Sequence, residues 1–174
     1  MIIEGRVRLL GDDINTDYII SSRRKRETID EAMLAPYLLE AVDPAFAASV
    51  RDGDVLVAGR NFGCGSAMEV AATVVRAAGI RAVVAKSFAR SFYRNATNNG
   101  LLVVACDTSA FAEGDAIRIA ADTGATQVMN GTSGAKLSAA PLPPIMTEIL
   151  AAGGLVGYLR ANGSFARAEG SRSV

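Results

Sequence analysis

Histidine is absent from the 174 residues, which removes the commonest general base and the commonest metal ligand together. Cysteine is scarce: Cys64 and Cys106 are the two thiols, too few for an ordinary four-cysteine iron–sulfur or zinc site. Any metal chemistry must therefore be supplied from outside this chain. Net charge is also missing, because 18 basic residues balance 18 acidic ones. Without a basic excess to displace counterions from phosphates, a nucleic-acid partner is not expected. Apolar runs stay far below the roughly 20 residues that span a bilayer, so no membrane partner is expected either. The opening residues, MIIEGR, lack the basic segment and apolar run of a signal peptide. The expectation is a cytoplasmic protein whose thiols stay reduced rather than forming a Cys64–Cys106 disulfide.

What is present is half hydrophobic and 21% charged, enough at this length for one domain with a real core. The boundaries expected are 1–162 for that domain and 163–174 for a small, polar, flexible tail. Residues 2–10 alternate as a strand. Turn chemistry follows at Gly11-Asp12-Asp13 and Asn15-Thr16-Asp17, then a short strand at Tyr18-Ile19-Ile20 and a basic segment, Arg23-Arg24-Lys25-Arg26. Thr28 or Asp30 is placed to cap a helix carrying Met33, Leu34, Tyr37, Leu38 and Val42, with Pro36 kinking it or delaying its start. Strands are expected at 54–59, 80–85 and 101–105, with helices at 67–78 and 88–98 between them. Such alternation, with nearly continuous apolar strands, implies an α/β domain whose parallel sheet is covered on both faces. Beyond Asp107 the pattern changes to short antiparallel strands around 115–121, Val128 and Leu137. Helices at about 145–151 and 155–160 close the domain.

The segment Gly59-Arg60-Asn61-Phe62-Gly63-Cys64-Gly65-Ser66 joins a buried strand to a helix expected to start at Ala67. Free N–H groups and the positive end of that helix make an anion the natural guest. Nucleotide readings fail on spacing. A P-loop counted from Gly59 meets Cys64 where glycine is required and no lysine follows, and a dinucleotide fingerprint counted from Gly63 meets Met68. A carboxylate is the simpler guest, with Ser66 placed to donate to it or act on it. The alternative is a tight structural turn in which Ser66 merely caps.

The run from Asp54 to Val104, with its N-F-G-C-G-S and K-S-F-A-R motifs, resembles the small subunits of 3-isopropylmalate dehydratase and their homoaconitase relatives. The likeness extends back to the D-x-x-x-T-D-x-I-I pattern of Asp12 to Ile20. It extends forward through Pro141-Leu142-Pro143 and Glu148 to Val156, covering almost the whole chain. It implies the swivelling β/β/α domain of aconitase, made as a separate polypeptide. It further implies a large-subunit partner carrying a 4Fe-4S cluster, with no metal bound by this chain. A small hydroxy-dicarboxylic acid would be the substrate of a hydro-lyase. By the same resemblance Ser66 is the catalytic base, and Gly63, Cys64, Gly65 and Ala67 are substrate-binding.

One stretch departs from the family pattern. After the glycines the family has Ser-Ser-Arg-Glu-His, whereas this chain has Ser66-Ala67-Met68-Glu69-Val70. Methionine cannot make the bidentate contact that arginine makes with a carboxylate. Either the acid differs (homoaconitate, citramalate or dimethylmalate type), another residue supplies the cation, or activity is reduced. A non-catalytic binding domain on the same scaffold is the remaining alternative. Arg23 and Arg26, in the family's substrate-selecting loop, are the substitute cations, unless that run is simply a solvated loop or pairs with the large subunit. Lys86, Ser87 and Arg90 could line the cleft or position the chain. Cys64 near a helix start could be oxidisable, and Phe62, Phe88, Phe92 and Tyr93 are expected in the core or an interface.

Overall fold

A computed structural model describes residues 1–163; the expected tail after Gly163 lies outside the described residues. The order is β1 (Ile2–Leu9), α1 (Thr16–Ile19), α2 (Ser22–Glu27), α3 (Glu31–Leu34) running into a 3-10 turn (Ala35–Tyr37), and α4 (Phe46–Ser49). Then come β2 (Val55–Ala58), α5 (Val70–Ala77), β3 (Ala82–Ala85), α6 (Arg90–Asn98) and β4 (Leu102–Ala105). The last part is β5 (Ala116–Ala121), β6 (Thr126–Asn130), β7 (Lys136–Ala139), α7 (Pro144–Ala151) and α8 (Leu155–Asn162).

Seven strands form one sheet in the order β4-β3-β2-β1-β5-β6-β7. β1 is its seam. It pairs in parallel with β2 (Val7 opposite Val55) and antiparallel with β5 (Ile3 opposite Ile119). β2 and β3 are short apolar runs buried at every position, and β4 is buried at all but its last residue, as strands sandwiched between two layers must be. Alternate side chains feed two cores. Leu56, Val83 and Val103 pack with Ile19, Leu34, Leu38, Val74, Val75 and Phe92 from the helices. Val55, Val57, Val84 and Leu102 face the other way, against Ile117, Ile119 and Val128 of the antiparallel limb, with Leu142 and Leu150. Helices thus cover one face, and the limb wraps over much of the other. β5 and β6 can do so because they keep strict alternation, with Ile117, Ile119 and Val128 buried between exposed or half-buried neighbours.

Four local readings are corrected. Tyr18 to Ile20 is not a strand: Asn15 caps helix α1 by accepting from the Asp17 N–H at 2.9 Å. The basic segment, expected as a loop, is helix α2, started by the Ser21 hydroxyl. The expected helix around 31–42 stops at Leu34, because Pro36 enters the following 3-10 turn and Leu39 takes φ +57°. Its cap is Asp30, and Met33 and Val42 are exposed rather than buried. Finally, α5 starts at Val70 rather than Ala67. The chain first uses 66–69 to turn, the Met68 N–H closing onto the Ser66 carbonyl at 2.8 Å, and to drop Met68 into the core at 4% exposure.

Candidate active site

The loops after β1, β2 and β3 meet at the carboxyl edge of the parallel strands, where ligands of open α/β sheets gather. Residues 14–16 run beside 63–66 like a fragment of parallel sheet. The Gly63 N–H donates to the Ile14 carbonyl (2.8 Å), and the Thr16 N–H donates to the Cys64 carbonyl (2.8 Å). The Thr16 hydroxyl donates to the Ser66 carbonyl at 2.9 Å. On the other side, the Phe62 N–H donates to the Ser87 carbonyl (3.0 Å), and the Asn61 N–H to the Ser87 hydroxyl (2.8 Å).

The glycines serve these close approaches. A side chain at Gly63, φ +76°, would collide with the Phe92 ring, and one at Gly65, φ +88°, with the Asn15 amide. Asp13 and Asn61 both occupy the left-handed region and hold each other, the Asn61 amide donating to the Asp13 carboxylate at 2.8 Å. Such backbone persists only where its surroundings over-determine it. Beneath the loop Phe62 is fully buried, edge-on to Phe92 with centroids 5.0 Å apart. Phe88 and Tyr93 pack at the margin of the same core.

Nothing in the described protein occupies the outer side of the loop. Among the described residues, the N–H groups of Gly65, Ser66 and Ala67 and the Ser66 hydroxyl have no hydrogen-bond partner, while Cys64 is bridged to Asn15. Gly65, Ser66 and Ala67 are exposed and Cys64 half-buried. Three consecutive free donors around an exposed hydroxyl suit an oxyanion or a carboxylate. The donors belong to the loop itself: the start of α5 lies beyond Ser66, so Ser66 is not its cap and Cys64 does not sit at its end.

Nearby charges are largely spoken for. The Arg60 N–H and guanidinium bind Asp12 at 2.7 and 3.1 Å and hold its carboxyl below the usual range. Lys86 donates to Ser109 at 2.7 Å and lies 3.6 Å from Asp107. With Ser87, Phe88, Arg90, Tyr93 and Ala105, Lys86 lines a cavity of about 350 Å³ beside the loop. A larger cavity, about 710 Å³, opens at the opposite edge of the strands around Ile2, Arg76 and Gly153, away from this chemistry.

Helix α2 is joined to the site through its first residue. Asp17 accepts from the Ser22 N–H at 3.0 Å, and the Ser22 hydroxyl lies 4.0 Å from the Met68 sulfur. Of the four cations, Arg24 is occupied, bidentate to Glu40 at 3.0 Å and stacked 3.6 Å over Tyr37. Arg23 is exposed, with a 3.7 Å pair to Glu27. Lys25 and Arg26 are exposed and have no partner among the described residues. The sequence reading missed Thr16 and Asn15 as organisers of the loop, although the T-D dipeptide stood in a quoted motif.

A metal cluster finds no fit here. Among the described residues no group of three or more histidine, cysteine or acidic side chains is arranged to hold a metal. Both cysteines are free, and burial, with Asp107 beside it, pushes the Cys106 thiol up to about 11. No helix of the described residues is long and apolar enough to cross a membrane.

Residues 14–109 match the aconitase C-terminal domain family. The chain is 48% identical over 164 residues to 3-isopropylmalate dehydratase small subunit 1 of Methanopyrus kandleri, covering 93% of this chain and 95% of that protein. It is 46% identical over 161 residues to the 3-isopropylmalate dehydratase small subunit of Moorella thermoacetica, covering 91% and 95%. It is also 44% identical over 160 residues to the methanogen homoaconitase small subunit of Methanocaldococcus jannaschii, covering 92% of each. The crystal structure of a 3-isopropylmalate dehydratase from Methanocaldococcus jannaschii superposes with a TM-score of 0.87 at 42% identity, covering 94% of this chain and 96% of that one.

Proposed function

This chain belongs to the aconitase C-terminal domain family and, within it, to the small subunits of 3-isopropylmalate dehydratase, and from that membership we propose that it is one half of a cytoplasmic hydro-lyase. The reaction is the interconversion of 2- and 3-isopropylmalate through the unsaturated diacid. The observation that carries this reading is the row of unpartnered N–H groups from Gly65 to Ala67 around the exposed Ser66 hydroxyl.

Ser66 removes the proton beside a substrate carboxylate. A serine hydroxyl is a weak base unless its alkoxide is stabilised, and the free N–H groups of the loop are the donors at hand. Gly65 and Ala67, with Cys64 beside them, form the backbone wall on which the carboxylate rests, while Gly63, buried and with its N–H on the Ile14 carbonyl, supports that wall from beneath. The large subunit carries the 4Fe-4S cluster, since two cysteines and no histidine cannot supply its ligands here.

A second reading changes the acid. The family's arginine position is Met68, which is buried and points no charge at the loop, while Lys25 and Arg26 stand free on neighbouring α2. Those cations, with Arg23, favour a more polar acid of the homoaconitate type.

Co-expression with a large subunit, followed by the absorbance of unsaturated diacid formed from 2-isopropylmalate, citramalate, dimethylmalate and homocitrate, separates the readings. Turnover of 2-isopropylmalate supports the first, and preference for homocitrate the second. A folded, assembled complex inert toward all four acids would overturn both. The chain on its own is expected to turn over none of them.

A further inference from the structure

Taking 63–67 as the catalytic loop, we infer that Thr16 is the positioning residue that aims it. Thr16 opens helix α1, is 1% exposed, and directs both of its donors at the loop. Its N–H holds the Cys64 carbonyl at 2.8 Å, and its hydroxyl holds the Ser66 carbonyl at 2.9 Å. A peptide group is planar and trans, so its N–H points opposite its C=O. Turning the Cys64 carbonyl toward Thr16 therefore turns the Gly65 N–H away from it. The Ser66 carbonyl does the same for the Ala67 N–H. One buried residue thus sends two of the three free donors outward, one on each side of Ser66.

The Ser66 carbonyl also accepts from the Met68 N–H at 2.8 Å. That bond closes a turn within the loop and moves with it. The bond from Thr16 ties the same carbonyl to a helix whose Ile19 is fully buried. Asn15 completes the arrangement. Its amide oxygen caps α1 through the Asp17 N–H, and its amide group lies where a side chain on residue 65 would stand.

The test compares Thr16→Val, which keeps the shape and loses the hydroxyl, with Thr16→Ser, which keeps the hydroxyl. In the complex with the large subunit, Thr16→Val is expected to lower kcat at least tenfold with KM within threefold. Thr16→Ser should stay within threefold of the unsubstituted enzyme on both. Amide exchange on the full-length small subunit is the second readout: Thr16→Val should speed exchange across 63–68 about tenfold, and Thr16→Ser should not. Unchanged kcat and exchange in Thr16→Val would overturn the proposal. So would equal impairment of both variants, or a loss confined to KM. Should Thr16→Val not fold, Thr16→Ala is read in its place. If the unsubstituted complex is inactive on every acid, the functional reading fails and the exchange comparison alone decides the clamp.

Discussion

Ser66 and Met68 divide two jobs between neighbouring positions. Met68 anchors the turn by burying itself, and Ser66 is left at the surface with a hydroxyl bonded to nothing in the described protein. Replacing Ser66 by Ala is therefore expected to leave the melting temperature within about 1 °C, as for an exposed site without packing. The same change should lower kcat of the assembled enzyme by about a thousandfold or more. Calorimetry alongside steady-state kinetics reads both; a large fall in melting temperature would mean the hydroxyl is structural. The glycine loop was legible in the sequence as a candidate site, but the reason for its glycines was not. Spacing suggested room for a ligand, whereas the bare Cα atoms of Gly63 and Gly65 admit Phe92 and Asn15. Those partners lie far along the chain, and no local pattern names them.

Among the elements, β2, β3 and β4 announced themselves because a strand covered on both faces must be apolar almost throughout. The helices α1, α2 and α3 did not, being four to six residues long and too short for an amphipathic period to register. Their existence rests on caps: Asn15, Ser21 and Asp30 each accept from the first turn of the helix they precede. Folding the basic run as a helix separates its cations by role. Arg24 turns inward to Glu40 and Tyr37, which raises its pKa through the Glu40 hydrogen bond and fastens α2 to the 3-10 turn. Arg24→Ala should lower the urea midpoint of the isolated subunit. Arg23→Ala and Arg26→Ala should leave that midpoint unchanged and shift the ratio of kcat/KM between homocitrate and 2-isopropylmalate toward the less charged acid. Equal ratios in all the variants would remove α2 from substrate choice.

For the molecule as a whole, zero net charge concealed a buried charge network under the β1–β2 pair. Asp54, 2% exposed, takes two hydrogen bonds from Arg6 at 3.1 and 2.7 Å and one from the Arg51 N–H at 3.0 Å. Arg8 lies 3.5 Å away, bonded to Glu113 at 2.8 Å and set over the Phe46 ring at 4.4 Å. Burial pushes the Asp54 carboxyl up, but the Arg6 and Arg51 hydrogen bonds and the charges of Arg6 and Arg8 together leave it below its ordinary value. A carboxyl held low in the folded state stabilises above its unfolded pKa of about 3.9, and that contribution drains away as pH falls through the folded value. Stability should thus be level from about pH 7 to pH 5 as far as Asp54 is concerned, then decline in acid. Asp54→Asn should cost about 3 kcal/mol at pH 7 and shorten the acid decline, measured by urea unfolding across pH. An unaltered plateau would show the network to be dispensable.

The position of β1 at the seam bears on how the protein can be made. Its partners are Val55–Val57 on one side and Ala116–Ala120 on the other, so β1, made before either partner, stays unpaired on one flank until β5 has been synthesised. The parallel half meanwhile lacks Ile117, Ile119 and Val128 over one of its faces. A nascent chain of this kind carries an open edge and a bare apolar surface until β5 and β6 are made, a window in which it is exposed to aggregation.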